Sequence, residues 1–368
     1  MKDFQKIVHH FQDLLGIKLY LVGGSVRDMI MKKPHNDLDF ATPSQPEEIE
    51  AAIRKAGLKP LTMGKRFGTL AFKYHHKAPK EMNIPKEPIE ITTFRTEEYN
   101  ESRKPKVKFV NDITQDLSRR DFTVNAIAVG DKGKLIDPFG GYADIKQGNI
   151  RFVGEPAIRI NEDPLRMLRA CRLASQFSFI STRDTEDTIS EHAFKILNIS
   201  KERWTSEMDK ILKSDHPHRG LDMLCQTQLM RFILPEIWIQ YHYDQNSPYH
   251  RHSLYEHTKI TVQRVEADPI IRWAALLHDV GKPFARIDKT IKKQYFTIIG
   301  WRETIKRLWK RDTQSNYPYH SEIGAEMVEK IGKYLKWSKD RTATIKDHVL
   351  NHLEEENSPI GKADSAAR

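Results

Sequence analysis

The chain has 368 residues, of which 39% are hydrophobic and 30% charged, with 60 Lys and Arg against 50 Asp and Glu, a formal charge of +10 and a pI near 9.3. That length exceeds one ordinary core and suits two or three domains, the composition excludes a disordered chain, and the basic surplus suits a polyanionic partner such as nucleic acid. Only Cys171 and Cys225 occur, excluding a disulfide framework or cysteine metal cluster and fitting a reducing cytosol, and neither the start Met1-Lys2-Asp3-Phe4-Gln5 nor any later stretch has the apolar run of a leader or of a membrane span of roughly 18 residues.

The first predicted elements are a short strand at Leu19-Tyr20-Leu21-Val22, a tight turn at Gly23-Gly24, and a helix through Val26-Arg27-Asp28-Met29-Ile30. Glycine lets a ligand approach such a turn closely, and the exposed N–H groups of a helix start favour phosphate. Arg27 adds a forked cation there. Next comes Asn36-Asp37-Leu38-Asp39-Phe40. Read as a strand, it projects Asp37 and Asp39 from one face, and two such carboxylates plus substrate phosphates suit Mg²⁺.

Leu70-Ala71-Phe72-Lys73-Tyr74 and Ile89-Glu90-Ile91-Thr92-Thr93-Phe94 alternate as strands do. On the second, Glu90 is either a third carboxylate near the aspartates or a solvent-facing edge residue. Residues 95–108 have no clean period and predict an exposed loop. Asp116-Leu117-Ser118-Arg119-Arg120-Asp121-Phe122-Thr123-Val124-Asn125-Ala126 predicts a helix start, with Arg119 and Arg120 serving either a phosphate or an internal aspartate.

These motifs, with Asp137-Pro138-Phe139-Gly140-Gly141, Glu162-Asp163-Pro164-Leu165-Arg166-Met167-Leu168-Arg169, Glu202-Arg203-Trp204 and Lys210-Ile211-Leu212-Lys213, follow one another from about residue 19 to 215. In that order they resemble the class II, bacterial-type tRNA nucleotidyltransferases, the CCA-adding enzymes related to bacterial poly(A) polymerases. The resemblance implies a multidomain α/β and all-α protein. A polymerase-beta-like nucleotidyltransferase head with a mixed five-stranded sheet would occupy 1–150, a helical neck and body for base recognition and RNA binding 151–245, and an HD-like helical domain 246–355. It implies that Asp37 and Asp39 are catalytic and hold Mg²⁺. It also implies that Gly24, Arg27 and Arg120 contact the nucleotide's phosphates or sugar, and that Asp163, Arg166, Arg169 and Arg172 line the nucleotide pocket. The expected partners are a tRNA 3′ end, CTP and ATP, with no membrane and no protein partner evident.

Independently of any family, Asp163 and Arg166 are three apart, hence neighbours on a helix. An acceptor beside a donor fork matches the amino group and unprotonated ring nitrogen shared by cytosine and adenine, and it mismatches guanine and uracil. An ordinary surface ion pair is the competing reading.

The last third carries His250, His252, His257, then Ala274-Ala275-Leu276-Leu277-His278-Asp279-Val280-Gly281-Lys282, then His320, His348 and His352. This constellation resembles an HD domain, a metal-dependent phosphohydrolase family, and implies a possible second divalent-metal site on His257, His278 and Asp279. The closing aspartate of such a site is expected on a late helix, where Asp347 is the nearby candidate. Residues 282–311 hold ten Lys or Arg against two Asp or Glu, interleaved with Tyr295, Phe296, Trp301 and Trp309. They read as an RNA-gripping surface or as an amphipathic helix. Residues 358–368 read as a polar tail. The function implied is template-independent addition of CCA to tRNA; partial A or CC addition, poly(A) synthesis, and HD-type phosphohydrolysis are the alternatives.

Overall fold

In the computed structural model, residues 2–34, 37–74, 79, 82, 84–98, 106–130, 132–245, 252–288, 315–353 and 358–367 are described. They divide into two units, Met1–Arg166 with Ile180–Thr188, and Met167–Phe179 with Ile189–Arg368.

In the first unit, Phe4, Ile7, Val8, Phe11 and Leu15 recur at helical spacing and make α1 (Lys2–Leu15) an amphipathic helix with a buried face. β1 (Tyr20–Val22) runs through Gly23 into α2 (Gly24–Ile30), as the local sequence predicts. β2 (Asp39–Thr42) follows, then α3 (Pro46–Lys55), which Gln45 and Glu48 cap reciprocally. β3 (Thr69–Phe72) and β4 (Ile89–Thr93) bury alternate residues, Leu70 and Phe72 on one and Ile89, Ile91 and Thr93 on the other. The Phe11 ring lies 5.3 Å from that of Phe40 and 5.2 Å from that of Tyr74, so α1 closes one face of the sheet.

β7 (Ala128–Val129) and β8 (Leu135–Ile136) complete a sheet ordered β3-β4-β2-β1-β7-β8. Only β2 and β4 pair in parallel, so the sheet is mixed. It has six strands, not the five expected, because β7 and β8 are two-residue strands too short to show a period. Between them and β4, β5 (Arg95–Glu98) pairs antiparallel with β6 (Lys106–Phe109). The ends of the expected 95–108 loop are therefore a hairpin's strands, and 99–105 lie outside the described residues.

α4 (Ile113–Ser118) starts at Asp112, whose carboxylate accepts the Thr114 N–H at 2.9 Å. The helix expected to start at 116 thus starts earlier and stops at Ser118, and 123–125 form a single 3₁₀ turn. α5 (Gly141–Gln147) starts where Asp137 accepts the N–H groups of Gly141 and Tyr142 at 2.7 and 2.9 Å. A Cβ on Gly141 would lie 2.0 Å from the Thr123 carbonyl oxygen, and Gly140 has φ 74°, so each glycine after Asp137 has its own reason. β9 (Asn149–Ile150), α6 (Pro156–Glu162) and the first residues of α7 (Leu165–Phe177) follow, and β10 (Ile180–Ser181) pairs with β9.

The second unit takes the rest of α7, the end of α8 (Arg183–His192), α9 (Lys201–Leu212), α10 (Pro217–Gln226), α11 (Leu229–Ile233) and α12 (Pro235–Tyr241). α13 (Leu254–Arg264), α14 (Pro269–Leu277) and α15 (Lys282–Ala285) precede a two-stranded pairing of β11 (Ile287–Asp288) with β12 (Ser315–Asn316). α16 (His320–Tyr334), α17 (Lys339–Leu350) and α18 (Pro359–Ala367) end the chain. Trp204 and Trp273 are fully buried, and Cys171 and Cys225 are free and buried.

The expected polar tail is therefore α18. Ser358 Oγ accepts the Gly361 N–H at 3.0 Å, Pro359 opens the helix, and Ile360, Ala363, Asp364 and Ala367 are buried. Residues 289–314, which carry most of the basic and aromatic stretch, lie outside the described residues. No described helix is long and apolar enough to cross a membrane.

Candidate functional site

β2 begins at Asp39, so Asp37 stands exposed in the segment before it and not on the strand. The two are tied to α2 by one hydroxyl. Buried Ser25 Oγ accepts the Asp39 N–H at 3.0 Å and donates to the Asp37 carbonyl oxygen at 3.4 Å. Parallel pairing places Glu90, exposed on β4, directly beside Asp39. Glu90 is thus both an exposed strand residue and a neighbour of the aspartates. Burial, reinforced by the charges of Asp37 and Glu90 and opposed by Arg120, pushes Asp39 up to about 7. Asp37, Asp39 and Glu90 offer hard oxygen donors of the type a divalent cation such as Mg²⁺ takes, although among the described residues they do not form one of the groups whose ligand atoms converge.

The arginines beside this cluster are held by residues to which sequence reasoning gave no role. Arg27 donates to Asn125 Oδ1 at 2.6 Å and to Asp28 Oδ1 at 2.8 Å. Asn125 in turn donates to Asp121, which also accepts the Phe122 N–H. Gly23 has φ 71° and ψ −134°, and a Cβ there would sit 2.7 Å from Arg120 Nη1, so the guanidinium lies against a bare backbone. Arg120 reaches the Asn125 carbonyl oxygen at 3.3 Å and Asp116 Oδ2 at 3.4 Å.

Asp116 is 1% exposed and collects Arg119 at 2.9 Å, Arg120, and the Arg95 N–H at 3.3 Å. Burial works against its charge, but Arg119 and Arg120 outweigh burial and hold the carboxyl below its usual range. Arg119 also pairs with Glu97 at 3.0 Å, so it serves carboxylates on both sides. The internal-pair reading therefore holds for Arg119. Arg120 combines a long contact to Asp116 with a position beside Gly23 and Asp39.

Asp163 does not lie on the helix that carries Arg166. The residue before a proline is disfavoured in the α region, and Asp163 precedes Pro164 with φ −148° and ψ 101°. Its carboxylate accepts the Leu165 N–H at 3.1 Å and opens α7. Arg166, 6% exposed, donates to the carbonyl oxygens of Arg159 at 3.0 Å and Arg119 at 3.1 Å and pairs with Glu162. Among the described residues, three of its five N–H donors are engaged and two remain. Arg169 and Arg172 follow on α7 in the second unit, where Arg172 pairs with Glu207 at 3.0 Å.

The second unit gathers a separate centre. His257 on α13, His278 and Asp279 at the end of α14, and Asp364 on α18 converge. His257 Nε2 lies 2.8 Å from Asp364, 3.2 Å from His278 Nε2 and 3.4 Å from Asp279 Oδ2. The closing aspartate is thus Asp364 and not Asp347, which is exposed and accepts the Asn351 side-chain amide at 3.1 Å. The signal for it was the Ser358-Pro359 start followed by Ile360, Ala363 and Ala367 on one helical face. Of the remaining histidines, His320 and His352 lie in the same cluster. His252 and His348 are not members of either candidate ligand group, and His250 lies outside the described residues.

Burial disfavours a charged His278, yet Asp279 and Asp364 outweigh it and push the imidazole up to about 10. Burial and the neighbouring His278 carry His352 the other way, to about 4. Asp279 itself is held well below the carboxylate range, because His278 and Lys282 outweigh its burial.

Three family profiles match in chain order: the Poly A polymerase head domain over 19–151, the probable RNA and SrmB binding site of polymerase A over 179–240, and the HD domain over 249–365. The CCA-adding enzyme of Geobacillus stearothermophilus is 39% identical over 234 residues, which cover 61% of this chain and 54% of that protein. In that alignment the chain spans about half the length of its relative. The CCA-adding enzyme of Bacillus cereus strain AH187 is 33% identical over 342 residues, covering 91% of this chain and 80% of that one. Among solved structures, the Bacillus stearothermophilus CCA-adding enzyme in complex with CTP superposes with a TM-score of 0.59 at 26% identity, covering 100% of this chain and 82% of that one. The Thermotoga maritima CCA-adding enzyme complexed with tRNA shares the fold, with a TM-score of 0.56 at 22% identity over 99% of this chain and 80% of that one. The match across nine-tenths of the sequence, with the head site described above inside it, shows that the chain belongs to the CCA-adding enzyme family.

Proposed function

We propose that this chain adds C and A nucleotides to the 3′ end of tRNA from CTP and ATP in the cytosol, without a nucleic-acid template and with release of pyrophosphate. The observation that carries this reading is that Ser25 ties Asp39 and the Asp37 backbone to the helix after the Gly23 turn, with Glu90 paired beside Asp39 and Arg120 against Gly23. Asp37 and Asp39 hold Mg²⁺, which when bound supplies the Lewis acidity that eases deprotonation of the RNA 3′-hydroxyl and screens the leaving pyrophosphate. Gly24, Arg27 and Arg120 orient the triphosphate, so that the hydroxyl attacks the α-phosphorus in line with the departing β-phosphate oxygen. Asp163 with the two uncommitted donors of Arg166 reads the amino and ring-nitrogen edge shared by C and A, and Arg169 and Arg172 serve nucleotide binding as the family resemblance implies. Residues 1–150 serve catalysis and 151–245 base recognition and RNA binding. From 246 onward the chain forms the HD-like module, in which His257, His278, Asp279 and Asp364 hold a divalent cation.

The test uses three tRNA transcripts ending before CCA, after C and after CC, each given CTP, ATP, GTP or UTP singly and CTP with ATP in the presence of Mg²⁺. The expected result is C addition to the first two, A addition to the third, and a stop at CCA with the mixture. Asp39→Ala abolishes growth and His278→Ala leaves it intact. C addition to the first two transcripts without A addition to the third, or A addition to the third without C addition to the others, would replace the proposal with a partial enzyme, and unlimited A addition would replace it with a poly(A) polymerase. Absence of growth would leave hydrolysis at His278 and Asp279 as the chemistry.

A further inference from the structure

Arg159, on α6, is not among the nucleotide-contacting residues, yet its side chain sits where the orientation of Arg166 is decided. Glu162 presents its two carboxylate oxygens to two different guanidiniums. Oε1 accepts from Arg159 Nη2 at 2.6 Å, and Oε2 accepts from Arg166 Nη1. The side chains of Arg159 and Glu162 are 15% exposed and that of Arg166 7%, so these pairs are sheltered from the solvent that screens an ordinary surface ion pair.

Both arginines then reach the same stretch of backbone. Arg159 Nη1 donates to the Ser118 carbonyl oxygen at 3.0 Å, and Arg166 Nη2 donates to that of Arg119 at 3.1 Å. α4 ends at Ser118, and the last carbonyls of a helix have no partner within it, so each arginine takes an acceptor that the helix leaves open. The peptide whose oxygen Arg166 contacts is the one that joins Arg119 to Arg120. The base-reading arginine is thereby set in register with the arginine beside the Gly23 turn.

The helix alone does not supply this bracing. α6 ends at Glu162, Asp163 leaves the helical region before Pro164, and α7 begins at Leu165. Across that break Arg166 Nη1 donates to the Arg159 carbonyl oxygen at 3.0 Å as well as to Glu162. Nη1 thus commits both protons and Nη2 one, which leaves Nε and one Nη2 proton for a base. A carboxylate beside an arginine favours a bidentate fork. If Arg159 released Oε1, Glu162 could take a second donor of Arg166 and consume part of the edge that reads the base.

We propose that Arg159 is a positioning residue for base selection: by occupying one oxygen of Glu162 it keeps that carboxylate on a single nitrogen of Arg166 and spares the two donors that separate C and A from U and G. The inference rests on the reading of Arg166 as a base-contacting residue, and the experiment separates the two.

Full-length Arg159→Met, Arg159→Lys, Glu162→Gln, the Arg159→Met/Glu162→Gln double variant and Arg166→Ala are compared with the parent. Each is given Mg²⁺ and a transcript ending before CCA with CTP or UTP, or one ending after CC with ATP or GTP. kcat and KM are measured for every nucleotide, and folding is followed by circular dichroism and thermal melting. In Arg159→Met the ratio of kcat/KM for CTP over UTP should fall about 10–100-fold, the scale of loss that a small misplacement of a binding group causes. Glu162→Gln is isosteric and turns an amide N–H toward one of the guanidiniums, so it should lower the ratio alike, and it decides the question if Arg159→Met does not fold. The double variant should lose no more than either single one, because both residues act through the same contact. Arg159→Lys should recover part of the ratio, since an ammonium still pairs with Glu162 but lacks the planar fork that also holds Ser118.

Equal losses for CTP and UTP in Arg159→Met and Glu162→Gln, with the ratio collapsing in Arg166→Ala, would overturn the positioning role and leave Arg166 as the base reader. A ratio unchanged in Arg166→Ala, or no addition by the parent, would overturn both.

Discussion

The Ser25 hydroxyl lies 3.0 Å from the backbone nitrogen of Asp39, and through that one bond the helix after the glycine turn fixes the start of the carboxylate strand. Ser25 is fully buried, so Ser25→Ala leaves the Asp39 N–H without its partner, a loss of roughly 1–3 kcal/mol for a buried donor. The expected outcome is a fall in denaturant stability of that size and a fall in kcat of about tenfold, the rate equivalent of 1.4 kcal/mol. Both are measured on the CTP-addition reaction and by urea unfolding. A variant of unchanged kcat would show that β2 is aligned without this hydroxyl.

Gly23→Ala tests the other side of the turn. With φ at 71° the position is strained for any residue with a side chain, at a cost of about 1–3 kcal/mol, and the new methyl would meet Arg120 Nη1 at 2.7 Å. Displacing Arg120 weakens its grip on the nucleotide, so KM for CTP should rise several-fold while the fold, followed by circular dichroism, persists. If KM stayed constant and only stability fell, Arg120 would not be a nucleotide ligand.

Asp116 makes stability depend on acid. Its carboxyl is held below the usual range by Arg119 and Arg120 against the effect of burial, so its folded value lies below the unfolded value of about 3.9. A depressed carboxyl contributes stability that is fully present above the unfolded value and is lost as pH falls through the folded one. Asp116→Asn should therefore cost roughly 3–5 kcal/mol near neutral pH, the usual loss on breaking a buried pair. It should also flatten the decline of stability below about pH 4, read from urea midpoints across the acid range. Parallel declines in the two proteins would place the acid-sensitive group elsewhere.

Much of the head was legible in the sequence because its signals are local. A strand ending in Gly23-Gly24, a helix opening at once, and Asp37 with Asp39 downstream need no long-range contact to be seen. What escaped were roles set by partners far along the chain. Asn125 orients Arg27 from 98 residues away, and Asp116 recruits Arg95 and Glu97's partner Arg119 into one network. Asp163 was misplaced onto a helix although Pro164 argues locally against it. Asp364 was missed because the five intervening polar or small residues, Gly361, Lys362, Asp364, Ser365 and Ala366, masked the helical period of Ile360, Ala363 and Ala367.

That last correction has a direct consequence for metal binding. Asp364 faces His257 at 2.8 Å and His278 at 3.6 Å from a helix that begins only at Pro359, whereas exposed Asp347 engages Asn351. Asp364→Asn keeps the size and helix position of the side chain but removes the anionic donor. Affinity for Mn²⁺ or Ni²⁺ in the histidine centre should fall at least about 10–100-fold, the range seen when even a supporting partner of a metal ligand is lost. Asp347→Asn should leave it unchanged. Thermal shift in the presence and absence of metal distinguishes the two, since an ion that binds only the folded chain raises its melting temperature. A metal-induced shift that survives Asp364→Asn and disappears in Asp347→Asn would return the closing ligand to α17. Removal of residues 358–368 should abolish the shift as Asp364→Asn does, because Asp364 and the Ala367 carbonyl oxygen that accepts from His257 leave together.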